Sequence, residues 1–260
     1  MNDQFGDRMK DYEGIETNNK FIPTLPVIVR LDGKCFSRLT KSLNRPYDER
    51  MAKLMIDVTK ELVKETNAVI GYTQSDEISL VLYSDSYEVP IYFNGKSHKI
   101  ISVLTSIATY WFNEYKHDFD FPDEMMDIPA FFDCRAWNVP TRTEAVNTLL
   151  WRELDALKNS VSVSARQFYT TKELVGVKRD QMMDMLMENG VNWNDYPAFF
   201  KRGTYIQKRV EPVDDVLPGL VRTDPPRFIV QELDLPPLTR VTNRTGVFFE
   251  KQEPIVNPSF

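Results

Sequence analysis

The sequence is poor in the residues that build many enzyme sites. Its 260 residues include two cysteines, Cys35 and Cys134, and two histidines, His98 and His117. A structural zinc site uses about four such ligands at paired spacings, which these residues do not have. A nucleophilic serine or cysteine would have only these two histidines as its base. We therefore expect any chemistry to depend on carboxylates.

Long apolar runs are also absent. No run approaches the roughly 18 residues that a membrane-spanning helix needs, and the polar N-terminus lacks the features of a signal peptide. The scarcity of cysteine favours a reducing compartment. From the sequence we expect a cytoplasmic protein with no membrane partner.

An excess of basic charge is missing too. Lysine and arginine number 32 against 38 aspartates and glutamates, a net charge of -6, which excludes an overall basic coat for indiscriminate nucleic-acid binding. Segment 111–133 alone holds seven acids and one base, so the remaining chain has 31 of each. Segment 199–210 holds four bases and no acid, which fits either a solvated surface or a contact with RNA.

The pattern of apolar residues predicts an α+β fold. Strand-like runs at 26–31, 68–72, 78–83 and 130–137 alternate with helical periodicities at 48–65 and 97–115. The resulting order β-α-β-β-α-β is that of the ferredoxin-like, or split βαβ, unit. We expect one antiparallel sheet with both helices on one face.

After Pro140 the pattern becomes mainly helical. A capping box at 141–144 begins a helix, a second helix is predicted over 171–188, and strands are predicted at 204–210 and 227–233. Eight of the sixteen prolines lie from Pro212 onward, which predicts an extended C-terminal tail. The expected division is a catalytic domain at 1–140, a helical extension at 141–210 that contacts RNA, and a tail at 211–260.

Two aspartates carry the chemical prediction. In the split βαβ order the first and third strands are neighbours; Asp32 ends the first and Asp76 lies on the hairpin before the third. Either alone is most simply a solvated turn residue. Together their repulsion is about 4 kcal/mol at roughly 4 Å, and a divalent cation such as Mg²⁺ would remove it. Gly33 would let the backbone approach a triphosphate. The spacing thus indicates phosphoryl or nucleotidyl transfer with two metals.

Four motifs in chain order strengthen this prediction. They read RLDGKCF at 30–36, QSDE at 74–77, FDCR at 132–135 and WRELDALKNS at 151–160. Their combination resembles the tRNA(His) guanylyltransferase superfamily, the 3′–5′ polymerases, over about residues 26–210. The catalytic domain of that family resembles a polymerase palm, in agreement with the predicted split βαβ unit.

The resemblance implies a role for each matching position. Two Mg²⁺ ions would be held by Asp32, Asp76 and the carbonyl of Gly33. The implied catalytic residues are Asp32, Asp76 and Glu77, which matches an acid of the same motif. ATP, GTP or other nucleoside triphosphates are the implied substrates. The residues implied to bind the triphosphate of the incoming nucleotide are Gly33, Lys34, Cys35, Phe36 and Ser37. Those implied near the phosphates of a second nucleotide are Arg45, Ser75, Lys99, Arg135 and Asn159.

The RNA substrate is expected to contact basic side chains of the extension: Arg152, Lys201, Arg202, Lys208 and Arg209. Tyr205, between the last two pairs, could stack on a base or face the core. Without the resemblance, Lys99 would be a solvated helix residue and Arg135 a salt-bridge partner of Asp133. The family resemblance also implies a homo-oligomer, typically a tetramer.

Two departures from the eukaryotic pattern point to one branch of the family. Positions 157–162 read LKNSVS where eukaryotic members carry His-Ile-Asn-Asn-Leu-Tyr, and Ser37 replaces a histidine. Both changes resemble the bacterial, archaeal and viral guanylyltransferase-like proteins. That branch implies template-directed repair of 5′-truncated tRNA, after 5′ activation with ATP.

Three alternatives remain open. The protein could add a guanosine to tRNA(His), as the eukaryotic members do. The two aspartates alone would equally serve another palm-type enzyme, such as a nucleotidyl cyclase. A non-catalytic RNA-binding protein is the third possibility, which the intact aspartate pair disfavours.

Overall fold

The computed structural model describes residues 3–210 and 227–257. Its centre is one sheet in which every pairing is antiparallel, with the strand order β4-β1-β3-β2-β5-β6. The strands are β1 (Val27–Gly33), β2 (Ile70–Gln74), β3 (Glu77–Leu82), β4 (Phe132–Asn138), β5 (Thr204–Val210) and β6 (Phe228–Leu233). The predicted α+β class is confirmed, and so is the pairing of the first and third strands.

Some helices begin where the sequence provides a capping side chain. The side chain of Asp48 caps α3 by accepting the backbone N–H of Arg50, and Thr141 caps α6 in the same way through Glu144. The helices are α1 (Gln4–Thr17), α2 (Phe36–Leu39), α3 (Glu49–Thr66), α4 (Ser97–Tyr115), α5 (Asp123–Met126), α6 (Arg142–Ala165), α7 (Arg179–Glu188), α8 (Ala198–Arg202) and α9 (Arg244–Phe249). None in the described part of the chain is long and apolar enough to span a bilayer.

The two faces of the sheet pack on different helices. Alternate residues of β1, such as Val29 and Leu31, belong to the core formed with α3 and α4. Ile28, on the opposite face, belongs to a second core with α6 and α9. Since the sheet is covered on both faces, ligands reach the strands at their ends.

Part of the C-terminal prediction is wrong. The helix predicted over 171–188 begins only at Arg179, because Gly176 adopts a positive φ of 80° and residues 171–176 form turns. Within the predicted tail, the strand predicted at 227–233 is confirmed as β6, which pairs with β5. Helix α9, with Val247 and Phe248 buried, was not predicted. Residues 211–226 and 258–260 of that tail lie outside the described residues.

The predicted domain boundaries at 140 and 210 stay predictions. Strands β5 and β6 continue the sheet that carries β1 and β3, so the two predicted units share one sheet. Helix α1 was not predicted, because its apolar residues bury no surface: none of its residues is buried, and Phe5, Tyr12 and Ile15 are exposed.

Candidate active site

The hairpin between β2 and β3 brings the two predicted aspartates together. Its turn consists of only Ser75 and Asp76, and Ser75 takes a left-handed conformation with φ 55°. Asp32 lies opposite Glu77 in the register of β1 and β3. The N–H of Gly33 donates to the carbonyl oxygen of Asp76 at 3.0 Å. The end of β1 and the hairpin turn are therefore held against each other, and Asp32 and Asp76 line the same cavity.

Neither aspartate is neutralised by a base. Within the described residues, no salt bridge reaches the carboxylate of Asp32 or Asp76. Burial raises the pKa of Asp76, and the charge of Asp32 raises it further. Two close acids that repel each other in a partly buried place form an environment that favours a cation.

Glu77 is different from its neighbour Asp76. Both of its oxygens accept hydrogen bonds from Arg152, Oε1 from Nε at 2.7 Å and Oε2 from Nη2 at 2.7 Å. The two side chains are only 13% and 11% exposed. Burial raises the pKa of Glu77, while Arg152 lowers it. In this arrangement the Glu77 carboxylate is part of a bidentate ion pair rather than an open ligand.

Arg152 therefore faces the site and not an outer RNA-binding surface. It makes a second ion pair with Asp155 at 3.2 Å, and the Asn159 side-chain amide donates to the same carboxylate at 3.3 Å. A chain of polar contacts thus runs from the hairpin along one face of α6 to Asn159.

The turn after β1 is shaped by Phe36. Its ring packs against Phe112 and Phe132, with ring centroids 5.1 and 5.2 Å apart. A Cβ on Gly33 would overlap this ring, so a glycine is needed here for packing as well as for any ligand. Cys35, with a φ of 59°, turns the chain from β1 into α2.

The cavity beside the aspartates has a volume of about 560 Å³, within the range of small-ligand sites. Asn44, Met55, Phe199 and Phe200 form part of its wall. The sequence-predicted residues that line it are Asp32, Phe36, Ser37, Arg45, Ser75, Asp76, Glu77, Arg152 and Asn159.

Other predicted residues lie elsewhere. Gly33, Lys34 and Cys35 belong to the adjoining turn but do not line the cavity. Lys99 is exposed on the first turn of α4, with its Nζ 5.6 Å from the centre of the Phe93 ring. Arg135 is exposed on β4 and pairs with Asp133 at 3.2 Å, the arrangement expected without any family resemblance.

Besides Arg152, the other four bases predicted to contact RNA do not all lie on one face. Lys208 and Arg209 are neighbours on β5, so their side chains point to opposite faces of the sheet. Each of the four side chains makes contacts within the protein. Lys201 donates to Asn194, Arg202 to Leu235, Lys208 to Asn67 and Arg209 to Gln207 and Lys251.

Tyr205 faces the core. It is 4% exposed, and its hydroxyl donates to Glu153 at 3.0 Å. Stacking on an RNA base would require it to leave this position, so the core alternative applies.

One wall of the cavity was not foreseen from the sequence. Tyr47 packs against Tyr196, Phe199 and Phe200, with ring centroids 5.8, 5.4 and 4.8 Å apart. These rings join the loop before α3 to α8, about 150 residues later in the chain. Arg166, at the end of α6, also lines the cavity. No local motif marks either feature; only the dense aromatic run at 199–200 is a signal.

The donor set at the hairpin fits a hard cation. Asp32, Asp76 and the Gly33 carbonyl offer oxygen alone, the ligand type that Mg²⁺ prefers. Within 3–210 and 227–257, no cluster of three or more histidine, cysteine, aspartate or glutamate side chains forms a complete metal cage. A cation here would thus need further ligands, and substrate phosphates commonly provide them.

Comparisons with known proteins agree with these features. The family model for tRNAHis guanylyltransferase matches residues 6–140. A Saccharomyces cerevisiae tRNA(His) guanylyltransferase is 27% identical over 75% of this chain and 88% of its own length. An uncharacterized protein of Acanthamoeba polyphaga mimivirus is 29% identical over 83% of this chain and 81% of its own length.

Solved structures give the same result. A bacterial tRNA(His) guanylyltransferase-like protein in complex with ATP has a TM-score of 0.72 and 38% identity, covering 79% of this chain and 87% of the other. A bacterial protein of the same description in complex with GTP has a TM-score of 0.73 and 32% identity, covering 91% and 94%.

Proposed function

Because the chain belongs to the tRNAHis guanylyltransferase family of nucleotidyltransferases, we propose that it adds nucleotides to the 5′ end of tRNA in the 3′–5′ direction. The proposed reaction is template-directed and repairs 5′-truncated tRNA. The observation that carries the proposal is the pair Asp32 and Asp76, which line a nucleotide-sized cavity and have no salt-bridge partner among the described residues.

The strand order supports a palm-like, ferredoxin-like catalytic unit within 1–140. In sequence β1 to β4 alternate with α3 and α4 as β-α-β-β-α-β, and in the sheet they take the order β4-β1-β3-β2. This arrangement makes β1 and β3 the central strands. The helices pack on the two faces of the sheet and leave the ends of these strands accessible. We propose that residues 141–210 form an extension packed on this unit.

The residues that would hold two Mg²⁺ ions are Asp32, Asp76 and the carbonyl of Gly33. Such ions supply a lower pKa for an attacking hydroxyl and a counter-charge for the triphosphate. The protein itself would orient the phosphates. Ser37, Arg45, Ser75 and Asn159 line the cavity and offer side-chain donors to them.

The bond changes follow from the proposed substrates. A 5′-monophosphate is first joined to the AMP part of ATP, with release of pyrophosphate, or a 5′-triphosphate is used directly. The 3′-hydroxyl of the incoming nucleotide, paired with the opposite strand, then attacks the 5′ α-phosphate. A phosphodiester forms, and AMP or pyrophosphate leaves. In this scheme Glu77 and Arg152 position the hairpin, since their charges already satisfy each other.

The repair branch is favoured over addition to tRNA(His) by two observations. Positions 37 and 157–162 lack the eukaryotic residues. The bacterial guanylyltransferase-like structures are 38% and 32% identical to this chain, against 27% for the yeast enzyme. The complex of one of them with ATP supports ATP as the activating nucleotide. A homotetramer, implied by the family resemblance, stays a prediction.

Primer extension tests the function directly. A tRNA lacking its first nucleotide is incubated with ATP, each nucleoside triphosphate in turn, and Mg²⁺. We expect addition of the nucleotide complementary to the opposite strand, and a loss of roughly a thousandfold or more in rate for Asp76→Ala.

Asp184→Ala is the matched control, because Asp184 is an exposed acid on α7 that does not line the cavity and should leave the rate unchanged. Extension by Asp76→Ala at the wild-type rate would contradict the assignment. Addition of guanosine to intact tRNA(His) alone would instead favour the eukaryotic activity.

A further inference from the structure

A second basic segment lies directly after β1. Residues 33–47 contain Lys34, Arg38, Lys41 and Arg45 and no acid. All four of these residues are exposed. We call these four residues the basic ridge. The family resemblance assigns no role to Arg38 or Lys41.

The packing of the segment explains why the four bases face outward. Phe36, Leu39 and Leu43 are 3%, 4% and 6% exposed and alternate with the bases at a spacing of three to four residues. These apolar residues belong to the core beneath the sheet, and the Phe36 ring packs on α4 and β4. The backbone of the ridge is thus anchored, and its cations point away from the anchor.

Among the described residues, the ridge side chains make few contacts with the rest of the protein. In the described parts of the chain, no ion pair or side-chain hydrogen bond involves the side chain of Lys34, Arg38 or Lys41. Arg45 donates to the carbonyl of Thr40, at 3.1 Å, inside the same segment. This contrasts with Lys201, Arg202, Lys208 and Arg209, which all contact other parts of the protein.

The position of the ridge relates it to the cavity. The same segment lines the cavity with Ser37, Thr40 and Asn44, so the ridge follows the outer side of that wall. On its other side the ridge meets the acidic segment 111–133, since the N–H of Lys34 donates to the carbonyl of Phe131 at 2.8 Å. All seven acids of that segment are exposed. A polyanion near the cavity is attracted to one side and repelled from the other.

We propose that the basic ridge, with Arg38 and Lys41 at its centre, binds the phosphate backbone of the RNA whose 5′ end reacts in the cavity. The proposal rests on the proposed function. The RNA bound along the ridge would reach Asp32 and Asp76 with its 5′ end. In this proposal the ridge, and not the bases of α8 and β5, makes the main electrostatic contact with the RNA.

The test measures the salt dependence of RNA binding. Fluorescence anisotropy follows a labelled 5′-truncated tRNA with the full-length wild type, with Arg38→Ala/Lys41→Ala, and with Lys172→Ala/Lys178→Ala. The last pair is a matched control, because it removes the same charge at two exposed residues before α7. Each phosphate contact contributes about 0.9 to the slope of log K against log salt concentration.

We expect the ridge variant to lose about ten- to a hundredfold in affinity and about 2 units of that slope. The control variant should match the wild type. Thermal unfolding and the binding of a fluorescent ATP analogue should be unchanged in both variants. A ridge variant with the affinity and slope of the control overturns the proposal.

The two proposals can fail separately. If the wild type extends tRNA while the ridge variant binds it like the control, the RNA-binding role of the ridge is contradicted and the proposed function stands. If the wild type binds tRNA through the ridge but extends none of the tested substrates, the ridge stands and the function is wrong.

Discussion

Two pairs of carboxylates near the β2–β3 hairpin differ in their contacts with the rest of the protein. Asp76, in the turn of the β2–β3 hairpin, and Asp32, near the end of β1, have no basic partner in the described chain and repel each other. Glu77, at the start of β3, and Glu153, on α6, both accept hydrogen bonds from other residues of the protein. Glu77 is held by Arg152, and Glu153 accepts the Tyr205 hydroxyl at 3.0 Å and the N–H of Leu238 at 2.9 Å.

The difference separates acids that hold the fold from acids that are available to a ligand. Asp76 and Glu77 are adjacent in sequence and belong to one motif, yet of the two only Glu77 has a basic partner among the described residues. An acid left unpaired in a cavity costs stability, and that cost is recovered when a cation binds. An acid with a buried partner contributes to the stability of the empty protein.

Removal of Arg152 should have the largest effect on stability. In Arg152→Ala the buried Glu77 carboxylate loses its bidentate salt-bridge partner, and we expect the free energy of unfolding to fall by about 3 kcal/mol. Urea denaturation measures the loss. Glu77→Gln combined with Arg152→Ala should recover part of it, because no buried charge is left unpaired.

Arg135→Ala is the comparison for that experiment. Its ion pair with Asp133 is half exposed, so the expected loss is below about 1 kcal/mol. Equal losses for the two arginine variants would contradict the distinction between the paired acid and the surface ion pair.

Glu153→Gln should have an intermediate effect that depends on pH. Burial raises the pKa of Glu153 above its usual value of 4.5, so the folded state holds this proton more tightly than the unfolded state. The wild type therefore gains stability relative to the variant as the pH falls towards 4.5, and this gain is lost as the pH rises through the folded-state pKa.

We expect the variant to be about 1–2 kcal/mol less stable at acid pH, with a smaller deficit at neutral pH. Urea denaturation of both proteins across this pH range provides the measurement. A deficit independent of pH would show that the Glu153 carboxyl group does not titrate with folding.

Asp76→Asn should have the smallest effect on stability and the opposite sign. The substitution removes a partly buried charge and its repulsion with Asp32, so the free energy of unfolding should stay constant or rise by up to about 1 kcal/mol. Thermal unfolding in the absence of divalent cations measures the change. A clear loss of stability would place Asp76 among the acids that hold the fold.

Local patterns in the sequence were enough to predict much of the fold. The apolar periodicity at 97–115 matches α4 at both ends, and the capping box at Thr141 marks the start of α6. The order of elements was enough to place β1 beside β3, and thereby Asp32 near the turn that carries Asp76. The roles of the individual site residues stay predictions, which the variants above address.

Features that depend on distant contacts were beyond the sequence. Arg152 and Glu77 are 75 residues apart, and nothing local distinguishes an arginine that meets a buried acid from one that meets RNA. The same limit applies to Arg202, whose partner Leu235 is 33 residues away, and to Lys208, whose partner Asn67 is 141 residues away. Composition reveals a cluster of charge but not whether the fold already uses it.

The two-residue turn at Ser75 and Asp76 also constrains how this protein can vary in length. Side chains alternate along a strand, so a single residue inserted before Asp76 would break the Asp32–Glu77 register or turn one carboxylate to the other face. Many surface loops tolerate insertions, but this one cannot lengthen without separating the acids. Homologous chains that keep the activity should therefore conserve the spacing of this hairpin as strictly as the aspartates themselves.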